Sequence, residues 1–194
     1  NAMYTLPNTI RKEYDEYKRI LKEGKSEEET AKYIYNEKFG GSVIYINNFG
    51  PGLSEEITKW LINKLNMKYA NYFGTTEVVF VFAEIFQDAK KSANYISNKP
   101  MYVEIRIKKI NQENIRFKTK FKNEDGQIYE IIQGELLVKT ENLMTGYYND
   151  PELTKKSLDA DGYYHSGYVI EYNTFTNDIK IIGENSFLIS PLFK

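Results

Sequence analysis

Apolar residues recur at helical spacing near the N-terminus and at alternate positions toward the C-terminus. The chain therefore reads as helices and a parallel α/β unit followed by an antiparallel β part. Residues 9–23 place Ile10, Tyr14, Tyr17 and Leu21 near one face of a helix, and Gly24 separates it from a second helix over 26–38. Ser26 and Glu29 have capping-box spacing ahead of Ala31, Ile34 and Tyr35, and Gly40-Gly41 ends the helix. Residues 43–46 then predict a short β-branched strand and 47–52 a loop. Ser54 caps a helix with Glu55 and Glu56 in its first turn and Ile57, Trp60, Leu61 and Leu65 on its buried side. Residues 67–73 return as a strand. A crossover of this length leaves both strands parallel, so loops 47–52 and 74–77 share the rim where open α/β sheets gather ligands.

Farther along, 88–100 is polar and turn-rich and reads as a connection. Residues 102–110 alternate Val103, Ile105 and Ile107 with Glu104, Arg106 and Lys108, and 115–122 alternate Ile115, Phe117, Thr119 and Phe121 with Arg116 and lysines. Both patterns predict half-buried antiparallel strands. An apolar run at 136–138 follows Gly134, and turn formers cluster at Gly146, Asn149, Asp150 and Pro151. Asp150 caps a short helix to about Leu158, with Pro151 at its first position. Asp161-Gly162 turns into a strand over 163–172, and with the segment to 182 these strands suggest a small distorted barrel. The organisation expected is 1–87, helices and the end of an α/β subdomain; 88–99, a connection; and 100–194, a β-barrel subdomain.

Composition narrows the chemistry. The chain has 194 residues, 41% hydrophobic, with a net charge of -1, which gives no bulk attraction to nucleic acid; the basic row on 116–122 reads as solvated edge lysines. The absence of Cys excludes thiol catalysis and a Cys-built zinc site and agrees with a cytoplasmic location. No run approaches the roughly 18 apolar residues of a membrane span, and no signal-like segment opens the chain. His165 is the only histidine, so a histidine triad or multi-histidine metal site is excluded, and it reads as a structural residue.

Two motifs carry the functional reading. The first is Gly-Glu-Leu-Leu-Val at 134–138 followed by Gly146-Tyr147-Tyr148, Asn149-Asp150-Pro151-Glu152-Leu153-Thr154 and Asp161-Gly162-Tyr163-Tyr164-His165-Ser166-Gly167. The second is Phe73-Gly74-Thr75-Thr76-Glu77, preceded by Gly40-Gly41-Ser42-Val43 and a Gly-Pro-Gly-Leu-Ser-Glu loop at 50–55. In both order and residue type the chain resembles the AMP-forming acyl-CoA synthetases, most closely their long-chain fatty acid branch, over 39–86 and 134–189. The resemblance implies a fragment of the large domain of an adenylate-forming enzyme: an α/β fold, with a parallel α/β unit followed by a small distorted antiparallel β-barrel.

By position, the resemblance implies that Thr76 contacts the α-phosphate of ATP or of the acyl adenylate and that Glu77 helps hold magnesium; both are the candidate catalytic residues. A hydroxyl donor suits a phosphate oxygen and a carboxylate suits a hard divalent ion. Gly50, Pro51, Gly52, Phe73, Gly74, Thr75 and Tyr168 stand at the nucleotide-contacting positions. Tyr168 replaces the Asp that grips the ribose, a loss of about 1.5 to 3 kcal/mol of hydrogen bonding. Glu184 stands where the hinge Arg is usual, which reverses the sign of a contact with the nucleotide. No Ser/Thr/Gly-rich phosphate loop ending in Pro-Lys precedes Phe73, and no room follows Lys194 for the lid that bears the catalytic Lys. The expectation is therefore a partial acid–thiol ligase whose parent takes ATP, magnesium, a fatty acid and coenzyme A, but which is inactive as this chain alone. The rival expectations are a degenerate binding or scaffolding module and a structural remnant without a ligand. An incomplete α/β unit is also expected to expose apolar sheet surface and to self-associate.

Overall fold

A computed structural model describes residues 6–49, 53–86, 95–97, 100, 102–111, 113 and 115–184. Among the described residues the chain is mixed α/β, with four helices and two sheets; it divides into two compact units, Asn1–Tyr72 with Glu84–Ala93 and Phe73–Ala83 with Asn94–Lys194.

The first unit opens with α1 (Leu6–Lys22) and α2 (Glu27–Phe39). Ile10, Tyr14 and Tyr17 are buried as their spacing predicts, but Ile20 rather than Leu21 completes the face, three residues after Tyr17 and still within a 3.6-residue stripe. Ser26 accepts from the Glu29 N–H at 3.3 Å and donates to its carboxylate at 2.7 Å, so the capping box forms. β1 (Tyr45–Phe49) leads to α3 (Glu55–Asn63), capped by Ser54, whose Oγ accepts from the Ile57 N–H at 3.4 Å. Trp60 of α3 packs among Tyr14, Tyr17 and Phe39, with ring centroids 5.1 to 6.3 Å away. β2 (Lys68–Phe73) runs parallel to β1, and β3 (Phe82–Phe86) lies on its other side.

β1 begins and ends later than the pattern predicts, because Asn47 and Asn48, read as loop formers, are strand residues. Asn48 Nδ2 donates to Asn71 Oδ1 at 2.9 Å, directly across the parallel register, and both amides are buried. A satisfied amide pair of this kind is tolerated inside a sheet where a lone one is not.

The second unit is one six-stranded sheet made of β4 (Tyr95–Ser97), β5 (Glu104–Lys108), β6 (Lys118–Lys122), β7 (Ile128–Lys139), β8 (Tyr164–Asn173) and β9 (Ile179–Glu184). Its order is β4-β9-β8-β7-β5, with every described pairing antiparallel. β7 is long enough that its outer edge serves two strands end to end, β5 along Glu135–Lys139 and β6 along Ile128–Ile132. Among the described residues the antiparallel part expected as a small distorted barrel is one open sheet, in which no described pairing joins β4 to β5. β4 also lies inside the stretch read from the sequence as a connection. α4 (Pro151–Ser157) begins at Asp150, whose Oδ1 accepts from the Leu153 N–H at 2.8 Å. The core gathers Phe73, Val78, Val81, Phe82, Leu136, Val138, Tyr164, Ile170 and Ile179. Phe121, expected on the buried side of its strand, is exposed and stacks at 5.6 Å on its cross-strand partner Tyr129.

Candidate functional site: the turn after β2

The turn at 74–79 is set by backbone geometry. Val79 N–H bonds the Thr75 carbonyl at 2.8 Å and Val81 N–H bonds the Phe73 carbonyl at 2.9 Å, folding the chain back tightly after β2. A Cβ on Gly74 would stand 1.7 Å from the Val79 carbonyl oxygen, so only glycine admits this closure. Val78 and Val81 anchor the turn in the core while Thr76 is exposed and Glu77 half-buried. Thr75 Oγ1 is buried without a hydrogen bond of good geometry. It is nonetheless near enough to the Tyr164 hydroxyl to draw that phenol's pKa down slightly, against larger upward pushes from burial and the Glu77 charge.

Glu77 is held twice. Its carbonyl accepts from the Met144 N–H at 2.8 Å, and its Oε1 accepts from the Tyr147 hydroxyl at 2.8 Å. Burial, followed by this bond and the Glu77 charge, raises the Tyr147 pKa above the ordinary phenol range. Phe73 is buried in the core rather than at the surface. Tyr168 meets it edge-on, with centroids 5.0 Å apart, while its N–H donates to Ser166 Oγ at 3.1 Å. Gly50, Pro51 and Gly52 lie outside the described residues. Among the sequence-predicted site residues, Gly74, Thr75, Thr76 and Glu77 thus share one turn, and Phe73 and Tyr168 share one packing contact.

Sequence reasoning gave Tyr147 no site role; its position in the Gly-Tyr-Tyr motif was the available signal. It also missed Glu135, a fully buried carboxylate on β7. His165 lies between Glu135 and Asp159, with Nδ1 3.6 Å from Glu135 Oε1 and Nε2 3.8 Å from Asp159 Oδ2. Among the described residues no group of three or more acidic or histidine side chains could hold a metal ion. Nor is any described helix long and apolar enough to cross a membrane.

No family model matches the chain. Curated relatives do. The chain is 60% identical over 37 residues to a 3-[(3aS,4S,7aS)-7a-methyl-1,5-dioxo-octahydro-1H-inden-4-yl]propanoyl:CoA ligase of Rhodococcus jostii, a match covering 19% of this chain and 7% of that protein. It is 25% identical over 139 residues to the peroxisomal long chain acyl-CoA synthetase 7 of Arabidopsis thaliana, covering 70% of this chain and 18% of that protein. An octapeptide-repeat antigen of Plasmodium falciparum is 26% identical over 142 residues, covering 71% of this chain and 18% of the antigen.

Among solved structures, the adenylation domain of a carboxylic acid reductase from Segniliparus rugosus, in complex with AMP and a co-purified carboxylic acid, superposes with a TM-score of 0.68. That match has 21% identity and covers 93% of this chain and 26% of that one. ATP-bound MatB from Rhodopseudomonas palustris superposes with a TM-score of 0.51 at 18% identity, covering 71% of this chain and 25% of that one. This chain therefore spans about a quarter of these structures and less than a fifth of the curated relatives. In fold and in its two motifs it resembles part of an AMP-forming acyl-CoA synthetase of the adenylate-forming superfamily, at low identity over most of the aligned length.

Proposed function

We propose that the turn at 74–79 is the nucleotide-facing element of a partial AMP-forming acid–thiol ligase. The observation that carries the reading is the arrangement of the turn itself: an exposed Thr76 hydroxyl beside a half-buried Glu77 carboxylate, on a backbone that only Gly74 permits. Thr76 would donate to a phosphate oxygen, and Glu77 would supply one oxygen to a divalent cation. The donor set fits such a cation when it arrives with a nucleotide, because magnesium is commonly held by one or two carboxylates plus phosphate oxygens and water. When bound, magnesium neutralises phosphate charge.

In the whole protein the reaction would join a carboxylic acid, here a long-chain fatty acid, to AMP from ATP with release of pyrophosphate, then pass the acyl group to coenzyme A. This chain alone is proposed to bind without catalysing, because the phosphate loop and the lid Lys have no counterpart in its residues. Calorimetric titration with Mg–ATP is expected to show saturable binding that Thr76→Ala weakens. Equal binding by both proteins, or none by either, would count against the site.

A second reading, a non-catalytic binding module, is favoured by one contact. Tyr168 sits at the ribose-gripping position and packs its ring against Phe73. A site without a ribose clamp should bind inorganic triphosphate about as well as ATP. A clear preference for ATP would exclude this version.

A further inference from the structure

The motif at 146–154, Gly-Tyr-Tyr-Asn-Asp-Pro-Glu-Leu-Thr, has no role in the reading above, yet one of its side chains, Tyr147, hydrogen-bonds Glu77 of the turn. We infer that this segment is a buttress whose Tyr147 hydroxyl fixes the direction of the Glu77 carboxylate, making Tyr147 a positioning residue for the proposed nucleotide–metal site. The inference rests on the reading of Glu77 as the cation-facing carboxylate.

The segment is built from its far end. Asp150 caps α4, and Thr154, one turn in, donates its hydroxyl to the Asp150 carbonyl at 2.8 Å. That bond uses the only hydroxyl proton, so the Thr154 oxygen can only accept its second contact, from the Tyr147 N–H at 2.9 Å. The approach requires Gly146, where a Cβ would stand 3.0 Å from Thr154 Cγ2 and 3.1 Å from its Oγ1. Asp150 N–H also bonds the Tyr147 carbonyl at 3.3 Å, so the Tyr147 backbone is held on both sides. From that fixed point its phenol reaches Glu77 Oε1 at 2.8 Å.

A purely structural tie would not need the carboxylate. The Met144 N–H bond to the Glu77 carbonyl already joins this segment to the turn. What the phenol adds is control of a side chain that otherwise rotates about three bonds. It engages Oε1 and leaves the second oxygen for a cation. A phenol is protonated throughout the neutral range, so Tyr147 is the donor of this bond. The short α4 and its proline start thus act as a bracket for Glu77.

The test uses the full chain with Mn2+ and ATP, reading metal-dependent nucleotide binding by calorimetry and bound Mn2+ by electron paramagnetic resonance. Glu77→Gln should abolish the metal-dependent part, and Tyr147→Phe should weaken it about tenfold, the usual scale for losing a hydrogen bond to a charged group. The double variant should be no weaker than Glu77→Gln alone, the signature of two residues acting through one contact. Thr154→Val, which removes the acceptor of the Tyr147 N–H while leaving the Tyr147 and Glu77 side chains intact, should shift binding in the same direction by less. A readout independent of ligand is residue-resolved NMR of ring-labelled tyrosine at neutral pH, in which Glu77→Gln should shift the Tyr147 ring resonances. Unchanged Mn–ATP binding in Tyr147→Phe, with Glu77→Gln impaired, would overturn the inference and leave the site standing. No metal-dependent binding in the parent chain would overturn both. Unmoved Tyr147 ring resonances in Glu77→Gln would overturn the buttress directly.

Discussion

Two carboxylates of the second unit, Glu77 on the turn after β2 and Glu135 in the middle of β7, meet opposite surroundings. Glu77 is half-buried and hydrogen-bonded by a phenol on one oxygen. Glu135 is 1% exposed, and its Oε1 makes no hydrogen bond and faces His165 at 3.6 Å. The first is directed yet accessible, as a ligand-facing group must be. The second is enclosed and matters to the fold through its histidine. Location explains the contrast, since Glu77 stands on a turn beyond a strand end while Glu135 lies within a run of buried residues, 134–138.

The largest expected effect would break the first environment outright. Gly74→Ala places a methyl group into the Val79 carbonyl, so the turn must reopen, with a loss of about 3 kcal/mol or more read from the urea midpoint and the loss of Mg–ATP binding. Next come paired substitutions that should separate the two acids. Glu135→Ala, leaving a cavity and His165 without its partner, is expected to cost about 2 kcal/mol of stability and spare nucleotide binding. Glu77→Gln is expected to stay within about 0.5 kcal/mol in stability and to lose binding. The reverse pattern in the same two assays would erase the distinction. Asp150→Ala removes the α4 cap and should cost about 1 kcal/mol, with a small loss of binding through Thr154.

The first unit supplies a pH control. Burial pushes the Tyr69 phenol up to about 12. The folded state thus holds that proton more tightly than the unfolded state, so its contribution is complete below about pH 10 and is lost as pH rises through 12. Thermal melts should weaken across that window, and Tyr69→Phe should flatten the dependence. We further propose that the chain self-associates through apolar sheet surface; a strictly monomeric mass by light scattering at high concentration would contradict this.

Much of this was legible in the residues. Ser26, Ser54 and Asp150 cap the helices their spacing announced, because a cap is a local hydrogen bond within three residues. The cluster of Gly74, Thr75, Thr76 and Glu77 was legible for the same reason. Residues whose role depends on a distant partner were not. Asn47 and Asn48 read as turn formers until Asn71 supplied a buried amide. Tyr147 carried no site role until Glu77, 70 residues away, supplied an acceptor.

By itself, the sequence determined the kinds of elements, their caps and the residues of the turn, all of which follow from side chains a few positions apart. Only the tertiary structure decided that β7 shares its edge between two strands, that Tyr168 packs on Phe73, and that Glu77 is aimed while Glu135 is enclosed. Those outcomes depend on which distant groups burial brings together, a choice that local periodicity does not encode.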